Sequence, residues 1–200
     1  MKIETRVARM VKSINCIEQP IKRQNAFAKS VAKLSGEKPV IIDESDDSLD
    51  ACPRAKALGY RGVSSKTCKG IYKSLINRAR CDNWNKHAGP GFYMMSGEDL
   101  TIQAGLAIQQ DLALVSLLGL THVERNGHHY VNGMASLPEA EQSTFLAAHP
   151  DLYERSHGAV RVAIRDGMLG IGSLDCKGFA SAATPDWNSM RNMAIGKETA

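Results

Sequence analysis

Glu18, Asp43 and Lys66 each stand at the end of a short run of residues that favours a β-strand. They lie 25 and 23 residues apart, which is the length of one strand–helix–strand repeat. Because successive parallel strands end at the same edge of a sheet, we expect the three side chains to converge there. Two carboxylates at such an edge are typical ligands of a hard divalent cation such as magnesium. A lysine beside that cation would have a lowered pKa and could carry a proton near neutral pH.

The same three residues also have simpler structural interpretations. Glu18 and Asp43 could each cap the helix that follows or pair with a nearby lysine. Lys66 could be a surface lysine whose aliphatic stem lies along the edge of the sheet. Magnesium also requires about six oxygen ligands, so two carboxylates alone leave its coordination incomplete. Spacing alone therefore leaves both the metal site and the structural roles open.

Further acidic residues follow two later strand-forming runs. Glu98 and Asp99 come after the run at 92–95, and Glu124 ends the run at 120–124. Glu98 and Glu124 are our candidates for binding the polar groups of a substrate. The alternative is that these residues are solvated loop acids.

Strands and helices alternate along most of the chain. The hydrophobic periodicity predicts helices over 3–13, 25–35, 48–58, 70–81, 101–118 and 138–153. It predicts strands over 15–18, 40–43, 60–66, 92–95, 120–124 and 160–164, the last one entering a turn at Asp166-Gly167. Alternating strands and helices indicate an α/β fold with a parallel sheet.

The fold class that we predict is an incomplete (β/α)8 barrel of about five strand–helix units. A complete barrel takes roughly 250 residues and eight units, so this chain is about three units short. We expect residues 1–135 to form the partial barrel and residues 136–200 a C-terminal helix, strand and closing tail. An open doubly wound sheet of five strands also fits the length, but no glycine-rich phosphate-binding turn follows the first strand.

Composition excludes several classes of function. The 200-residue chain is 43% hydrophobic and has a net charge of +4 without a polybasic tract, so we expect no nucleic-acid partner. Its five cysteines are widely spaced and form no metal-binding or disulfide pattern, which favours a reducing compartment. The sequence has no signal-peptide core and no apolar run of about 20 residues, so we expect a cytoplasmic protein without a membrane partner. The nucleophile motif Gly-x-Ser-x-Gly of serine hydrolases is absent.

Three short motifs resemble a known family when they are taken together. Glu-Gln-Pro at 18–20, Asp-Glu-Ser at 43–45 and Lys-x-x-Lys-Gly at 66–70 are similar to consecutive strand ends of the enolase superfamily. The similarity is to the branch of mandelate racemase and muconate lactonizing enzyme. Residues 160–180 also resemble the closing segment that returns to the capping domain of that family.

The resemblance implies a role for each of the residues at these strand ends. Glu18 and Asp43 would be the second and third carboxylate ligands of a catalytic Mg²⁺, and Lys66 would be the acid/base lysine. The chemistry of the family is abstraction of the proton alpha to the carboxylate of a small substrate, which gives an enolate stabilised by magnesium. Racemases, epimerases, cycloisomerases and dehydratases all work in this way.

The chain also departs from the pattern of that family. The first magnesium ligand, the opposing lysine pair and the N-terminal capping domain would all precede residue 15, so the ligand that completes the set of three is not present in this chain. Glu124-Arg125-Asn126-Gly127 stands where dipeptide epimerases carry Asp-x-Asp, which disfavours a dipeptide substrate. We expect a C-terminal portion that is inactive alone, and a homo-oligomer or a partner that completes the barrel. The alternative is a non-catalytic α/β module used in assembly or binding.

Overall fold

The computed structural model describes residues 2–190 as an α/β chain, so part of the predicted segment 136–200 lies outside the described residues. The helices are α1 Lys2–Ser13, α2 Ala32–Glu37, α3 Ala51–Ala57, α4 Ile71–Ala88, α5 Leu106–Leu117, α6 Gly127–Tyr130 and α7 Glu139–Ala148. The strands are β1 Ile17–Glu18, β2 Val40–Ile42, β3 Gly62–Ser65, β4 Met94–Gly97, β5 Tyr153–Ser156, β6 Ala159–Val162, β7 Ile164–Arg165 and β8 Met168–Leu169. Short 3-10 helices cover Arg23–Asn25, Thr67–Lys69, Gly172–Leu174 and Trp187–Ser189.

Strands β1 to β4 form one sheet in the order β1-β2-β3-β4, and every neighbouring pair is parallel. This confirms the predicted α/β class and the parallel sheet. The segment predicted as a fifth strand, 120–124, joins the sheet only through an isolated parallel bridge between Gly97 and Val123. The strand order follows the order of the chain, so the ends of the four strands lie in sequence along one edge.

The central strands are formed by residues that are buried on both faces. Val40, Ile41 and Ile42 of β2 are completely buried, as expected for a strand covered on both sides in a parallel sheet. Strand β3 is more polar but is equally buried, because its hydroxyl groups have partners. The Ser65 hydroxyl, for example, lies 3.1 Å from that of Ser74 on α4.

Gly62 allows the close approach of β3 to its neighbours. A Cβ atom at this position would lie 2.4 Å from the carbonyl oxygen of Met94 and 2.8 Å from a side-chain carbon of Ile41. Neither contact is tolerable, and the oxygen belongs to the backbone of a paired strand, so it cannot move independently.

We therefore expect Gly62→Ala to lower the free energy of unfolding by about 2–4 kcal/mol, since it overpacks the centre of the sheet. Gly36→Ala is the matched control, because its Cβ would meet nothing within 4 Å and the residue lies in α2. The control should be neutral or stabilise the chain by up to about 1 kcal/mol. Urea unfolding of both variants measures the difference, and equal stabilities would contradict this account of β3.

The helix predicted over 25–35 is wrong for most of its length. Only Ala32–Glu37 is α-helical, and this helix extends beyond residue 35, where the predicted helix ends. Tertiary hydrogen bonds hold the preceding segment in another conformation. The Tyr60 hydroxyl donates to the carbonyl of Ala26 at 3.2 Å, and the Val31 amide donates to the carbonyl of Leu58 at 2.8 Å.

The fourth strand begins two residues later than the predicted 92–95. The Asn85 side chain donates to the Tyr93 carbonyl at 2.9 Å and accepts from the Tyr93 amide at 2.7 Å. Because both backbone groups of Tyr93 are bonded to this side chain, the sheet pairing starts at Met94. The shift places Glu98 directly after the strand, at its carboxyl end.

The chain divides into two compact units, Met1–Leu100 with Leu114–Arg125, and Thr101–Ala113 with Asn126–Ala200. The first unit contains the parallel sheet. In the second unit, β5 pairs with β6 and β7 pairs with β8, both antiparallel, and the β7–β8 turn falls at the predicted Asp166-Gly167. Phe145 and Tyr153 pack edge to face in the core of the second unit, with ring centroids 6.3 Å apart.

The helix predicted over 101–118 begins only at Leu106.

All five cysteines are free thiols, as the spacing predicts. Among residues 2–190, the structure has no helix that is both long enough and apolar enough to cross a membrane.

Candidate functional site at the carboxyl edge of the sheet

Ionisable side chains from all four parallel strands meet at the carboxyl edge of the first unit. We call this group the carboxyl-edge cluster; its members are Glu18, Asp43, Glu44, Lys66, Lys69, Glu98, Asp99 and Glu124. Each predicted site residue lies in this cluster, so the predicted convergence of the strand ends is confirmed. Their chemical roles are a separate question, which depends on the contacts.

Asp43 is the centre of the cluster and is only 1% exposed. Its Oδ1 accepts hydrogen bonds from Lys69 Nζ at 2.9 Å and from the Ser64 hydroxyl, and its Oδ2 accepts from Lys66 Nζ at 2.6 Å. Burial opposes ionisation of this carboxyl. The hydrogen bonds from Glu18, Lys66 and Ser64, with the charge of Lys69, outweigh that effect and hold the pKa of Asp43 well below its usual range.

Gln19 fixes the backbone around Asp43. Its side-chain carbonyl, at the end of β1, accepts from the amides of Asp43 at 3.1 Å and Ser45 at 2.9 Å, just beyond β2. The Ser45 hydroxyl in turn donates to the carbonyl of Arg23 at 3.1 Å. These bonds give the Glu-Gln-Pro and Asp-Glu-Ser motifs a shared structural role, since one motif holds the other in place.

Lys66 bridges two carboxylates. Its Nζ lies 2.6 Å from Oδ2 of Asp43 and 2.6 Å from Oδ2 of Asp99, and its side chain is 10% exposed. Asp99 reaches the lysine from a left-handed backbone conformation with φ of 46°, which aspartate adopts more readily than most residues. Burial alone would lower the pKa of Lys66, but the hydrogen bonds that Lys66 donates to Asp43 and Asp99 raise it above the usual range. Lys66 is therefore protonated in this structure. The sequence-based prediction differs, because it assumes a nearby cation that lowers the pKa of the lysine.

Glu18 and Asp43 share a proton. The hydrogen bond to Asp43, followed by burial and the negative charges of Asp43 and Glu98, raises the pKa of Glu18 to about 8. Because the two carboxyls titrate as a pair, one of them holds the proton while the other stays ionised. A divalent cation in place of that proton would compensate the negative charge of both carboxylates.

The shared proton predicts a pH dependence of stability. Between the ordinary pKa of 4.5 and about 8, the folded chain keeps a proton on Glu18 that the unfolded chain has released. The contribution of Glu18 to the free energy of unfolding therefore decreases as the pH rises through this window. Glu18→Gln should remove that decrease, while Glu37→Gln, at an exposed position in the same unit, should leave the profile of the wild type unchanged. Urea unfolding from pH 5 to pH 8 is the measurement, and parallel profiles of wild type and Glu18→Gln would refute the shared proton.

Glu98 and Glu124 lie beside this pair. Glu98 is 7% exposed and accepts a hydrogen bond from the Ser96 hydroxyl, and its pKa is raised by burial and by the charges of Glu124 and Asp43. The Glu124 side chain accepts from the amide of Asp99 at 3.1 Å. Glu124 therefore supports the loop that carries the Asp99 partner of Lys66.

Three carboxylates of the cluster together form a set of oxygen ligands suited to a hard cation. Glu18, Asp43 and Glu44 each offer a carboxylate oxygen, and these oxygens lie within 4.8 Å of one another. Oxygen donors of this kind are the ligands that Mg²⁺ prefers. Both oxygens of Asp43 already accept hydrogen bonds from lysines, so a cation at Asp43 would compete with Lys66 for Oδ2.

Two members of the cluster, Glu44 and Lys69, were not predicted from the sequence. Glu44 follows Asp43 directly, and the sequence assigns ligands only to the strand ends themselves. Lys69 lies on the 3-10 helix Thr67–Lys69, which brings its ammonium group back toward Asp43. The second lysine of Lys-x-x-Lys-Gly was the available signal, since one turn of a 3-10 helix places residues i and i+3 on the same side.

The chain was compared with protein-family models, with curated proteins and with solved structures, and none of them gives a significant match.

Proposed function

We propose that this chain is the C-terminal part of a magnesium-dependent enzyme that abstracts the proton alpha to the carboxylate of a small substrate. The class is that of the mandelate racemase and muconate lactonizing branch of the enolase superfamily, whose members act as racemases, epimerases, cycloisomerases or dehydratases. The observation that carries the proposal is the meeting of Glu18, Asp43 and Lys66 at one sheet edge, in the order and spacing of the three sequence motifs.

The residues of the chain have separable roles in this proposal. Glu18 and Asp43 would hold the magnesium ion, and Glu44 is close enough to contribute a further carboxylate oxygen. The bound ion would supply a fixed positive charge that stabilises the negative charge developing on the substrate. Lys66 would exchange the alpha proton through Nζ, for which it must first lose its own proton. Asp99 and Asp43 are the groups that keep this proton on Lys66 in the present structure.

The partial barrel belongs to the same proposal. In this proposal the four parallel strands and the bridged segment would be five of the eight strands of a barrel, and the other three would come from a preceding part of a longer chain, a second copy or a partner. The exposed helix α1 supports this interpretation, because its residues Val7, Met10 and Val11, with Ile14 directly after the helix, are apolar and 40–60% exposed. Apolar residues of this kind normally pack against another element.

A non-catalytic module is the second candidate, and one observation favours it. The charge of Asp43 is already compensated by Lys66 and Lys69, so the cluster is a stable ion network without any added cation. In that case the exposed apolar residues of α1 would serve assembly alone.

Deuterium exchange separates the two candidates. The longest in-frame polypeptide containing this sequence is incubated in D₂O with magnesium and a panel of small alpha-substituted carboxylates, and the alpha proton is followed by NMR. An enzyme of the proposed class exchanges that proton in at least one substrate, and the exchange stops when the magnesium is chelated. Absence of exchange across the panel, in a folded protein, favours the non-catalytic module.

A further inference from the structure

Lys69 has more buried hydrogen-bonding partners at the carboxyl edge of the sheet than Lys66 has. Its Nζ donates to Oδ1 of Asp43 at 2.9 Å and to the carbonyl oxygen of Asp43, also at 2.9 Å. It also donates to the hydroxyl of Ser64 at 2.8 Å and lies 3.1 Å from the Ser64 carbonyl. Asp43 and Ser64 are each 1% exposed, so all four acceptor atoms belong to buried residues. Lys69 thereby joins the end of β2 to the end of β3.

The two lysines divide the oxygens of Asp43 between them. Lys69 holds Oδ1, while Lys66 holds Oδ2 and also pairs with the carboxylate of Asp99, which is 65% exposed. An exposed partner is readily replaced by water, whereas the buried partners of Lys69 are not. Lys66 is therefore the lysine that can leave Asp43, and Lys69 is the one that stays.

We propose, on the basis of the proposed function, that Lys69 is a positioning residue for Asp43. It fixes the carboxylate through Oδ1 and the adjacent carbonyl, so that Oδ2 is the oxygen presented to a bound magnesium ion. Hydrogen-bonding partners that orient a metal ligand commonly contribute a factor of about 10 to 100 in metal affinity. The ligand is held in one orientation before the ion arrives, so less freedom is lost on binding.

The charge of Lys69 alone would weaken magnesium binding, which is the opposite of the effect that we propose. The direction of the change in affinity therefore tests the proposal. A lysine ammonium near a divalent cation repels it, so a bystander lysine weakens binding and its removal strengthens it. A positioning lysine strengthens binding despite its charge, and its removal weakens binding.

The experiment measures the dissociation constant of magnesium alone, by isothermal titration calorimetry on the full chain. The variants are Lys69→Met, which removes the charge and the donors, and Lys69→Gln, which removes the charge but keeps an N–H donor. Lys73→Met is the matched control, because Lys73 is also 11% exposed and pairs with a buried aspartate, Asp46, at 3.2 Å. Thermal unfolding of every variant is recorded in parallel.

We expect Lys69→Met to weaken magnesium binding by about 10- to 100-fold, Lys69→Gln by less, and Lys73→Met to leave the affinity within about 2-fold of wild type. Should Lys69→Met fail to fold, Lys69→Gln decides: weaker binding than wild type supports the proposal, and equal or tighter binding overturns it. Equal losses of affinity in Lys69→Met and Lys73→Met also overturn it, since they would reflect general destabilisation. A wild-type chain that binds no magnesium rejects the proposed function together with this role, whereas a binding wild type with unimpaired Lys69 variants rejects this role alone.

Discussion

Replacing Asp43 with alanine is expected to lower the free energy of unfolding by about 3–5 kcal/mol, because it leaves two buried ammonium groups without their common partner. Lys66 and Lys69 are only 10% and 11% exposed, and Asp43 lies between them at 2.6 and 2.9 Å. The Ser64 hydroxyl loses its acceptor as well. Lys69 cannot recover its hydration without opening the ends of β2 and β3, because it lies against Ser64 and the carbonyl of Asp43, whereas Lys66 keeps its pairing with Asp99.

An exposed aspartate provides the control for this prediction. Asp50 is 66% exposed and pairs with Arg54 at 3.5 Å, so Asp50→Ala should change the free energy of unfolding far less than Asp43→Ala does. Asp43→Asn keeps the shape of the side chain and an acceptor oxygen, which separates the loss of charge from the loss of volume. Chemical unfolding measures all three variants. If Asp43→Ala were as stable as Asp50→Ala, the ion network would not be the centre of this edge of the sheet.

Lys66→Met is expected to lower the rate of alpha-proton exchange by about 10²- to 10⁴-fold, the usual contribution of a general base. The methionine keeps the length and the apolar stem of the side chain and removes only the group that carries the proton. Lys73→Met should retain the exchange rate, because Lys73 contacts Asp46 and not Asp43. NMR in D₂O with the polypeptide and substrates described above gives the rates, and unchanged exchange in a folded Lys66→Met protein would reject the role of Lys66.

The pH profile of the same reaction tests how Lys66 is controlled. Asp43 and Asp99 raise the pKa of Lys66, so the rate of proton uptake by the lysine should increase with pH. Asp99→Asn removes one of the two carboxylates, lowers the pKa of Lys66 and should shift that increase to lower pH. A shift to higher pH, or none, would show that Asp99 does not control the lysine.

The convergence of Glu18, Asp43 and Lys66 could be predicted because it depends on topology alone. Parallel strands that follow one another in a sheet must end at the same edge, whatever the details of the helices between them. Strand β2 could also be predicted, because a strand that is buried on both faces is continuously apolar and shows no polar alternation.

The features of the fold that were not predicted depend on hydrogen bonds to backbone groups elsewhere in the chain. Tyr60 and Leu58 hold the segment before α2 away from a helix, and Asn85 binds both backbone groups of Tyr93 and delays β4. No local propensity contains this information. The pairing of Lys66 with Asp99 was missed likewise, because it requires the left-handed turn after β4.

Among residues 2–190 the structure shows one parallel sheet of four strands, so only the α/β character and the parallel sheet of the predicted barrel class could be compared with it. The roles of Glu98 and Glu124 as substrate ligands likewise stay predictions. Their observed contacts, to Ser96 and to the amide of Asp99, are contacts within the chain.

Magnesium calorimetry on the wild-type chain and on Glu18→Gln is the most direct test of a metal site at this edge. Glu18→Gln is the better variant because it leaves the ion pairs of Asp43 with Lys66 and Lys69 in place. We predict saturable binding by the wild type, release of the proton shared by Glu18 and Asp43 on binding near neutral pH, and loss of both in Glu18→Gln. No heat from a folded wild-type chain at millimolar magnesium, or equal binding by Glu18→Gln, would contradict the account.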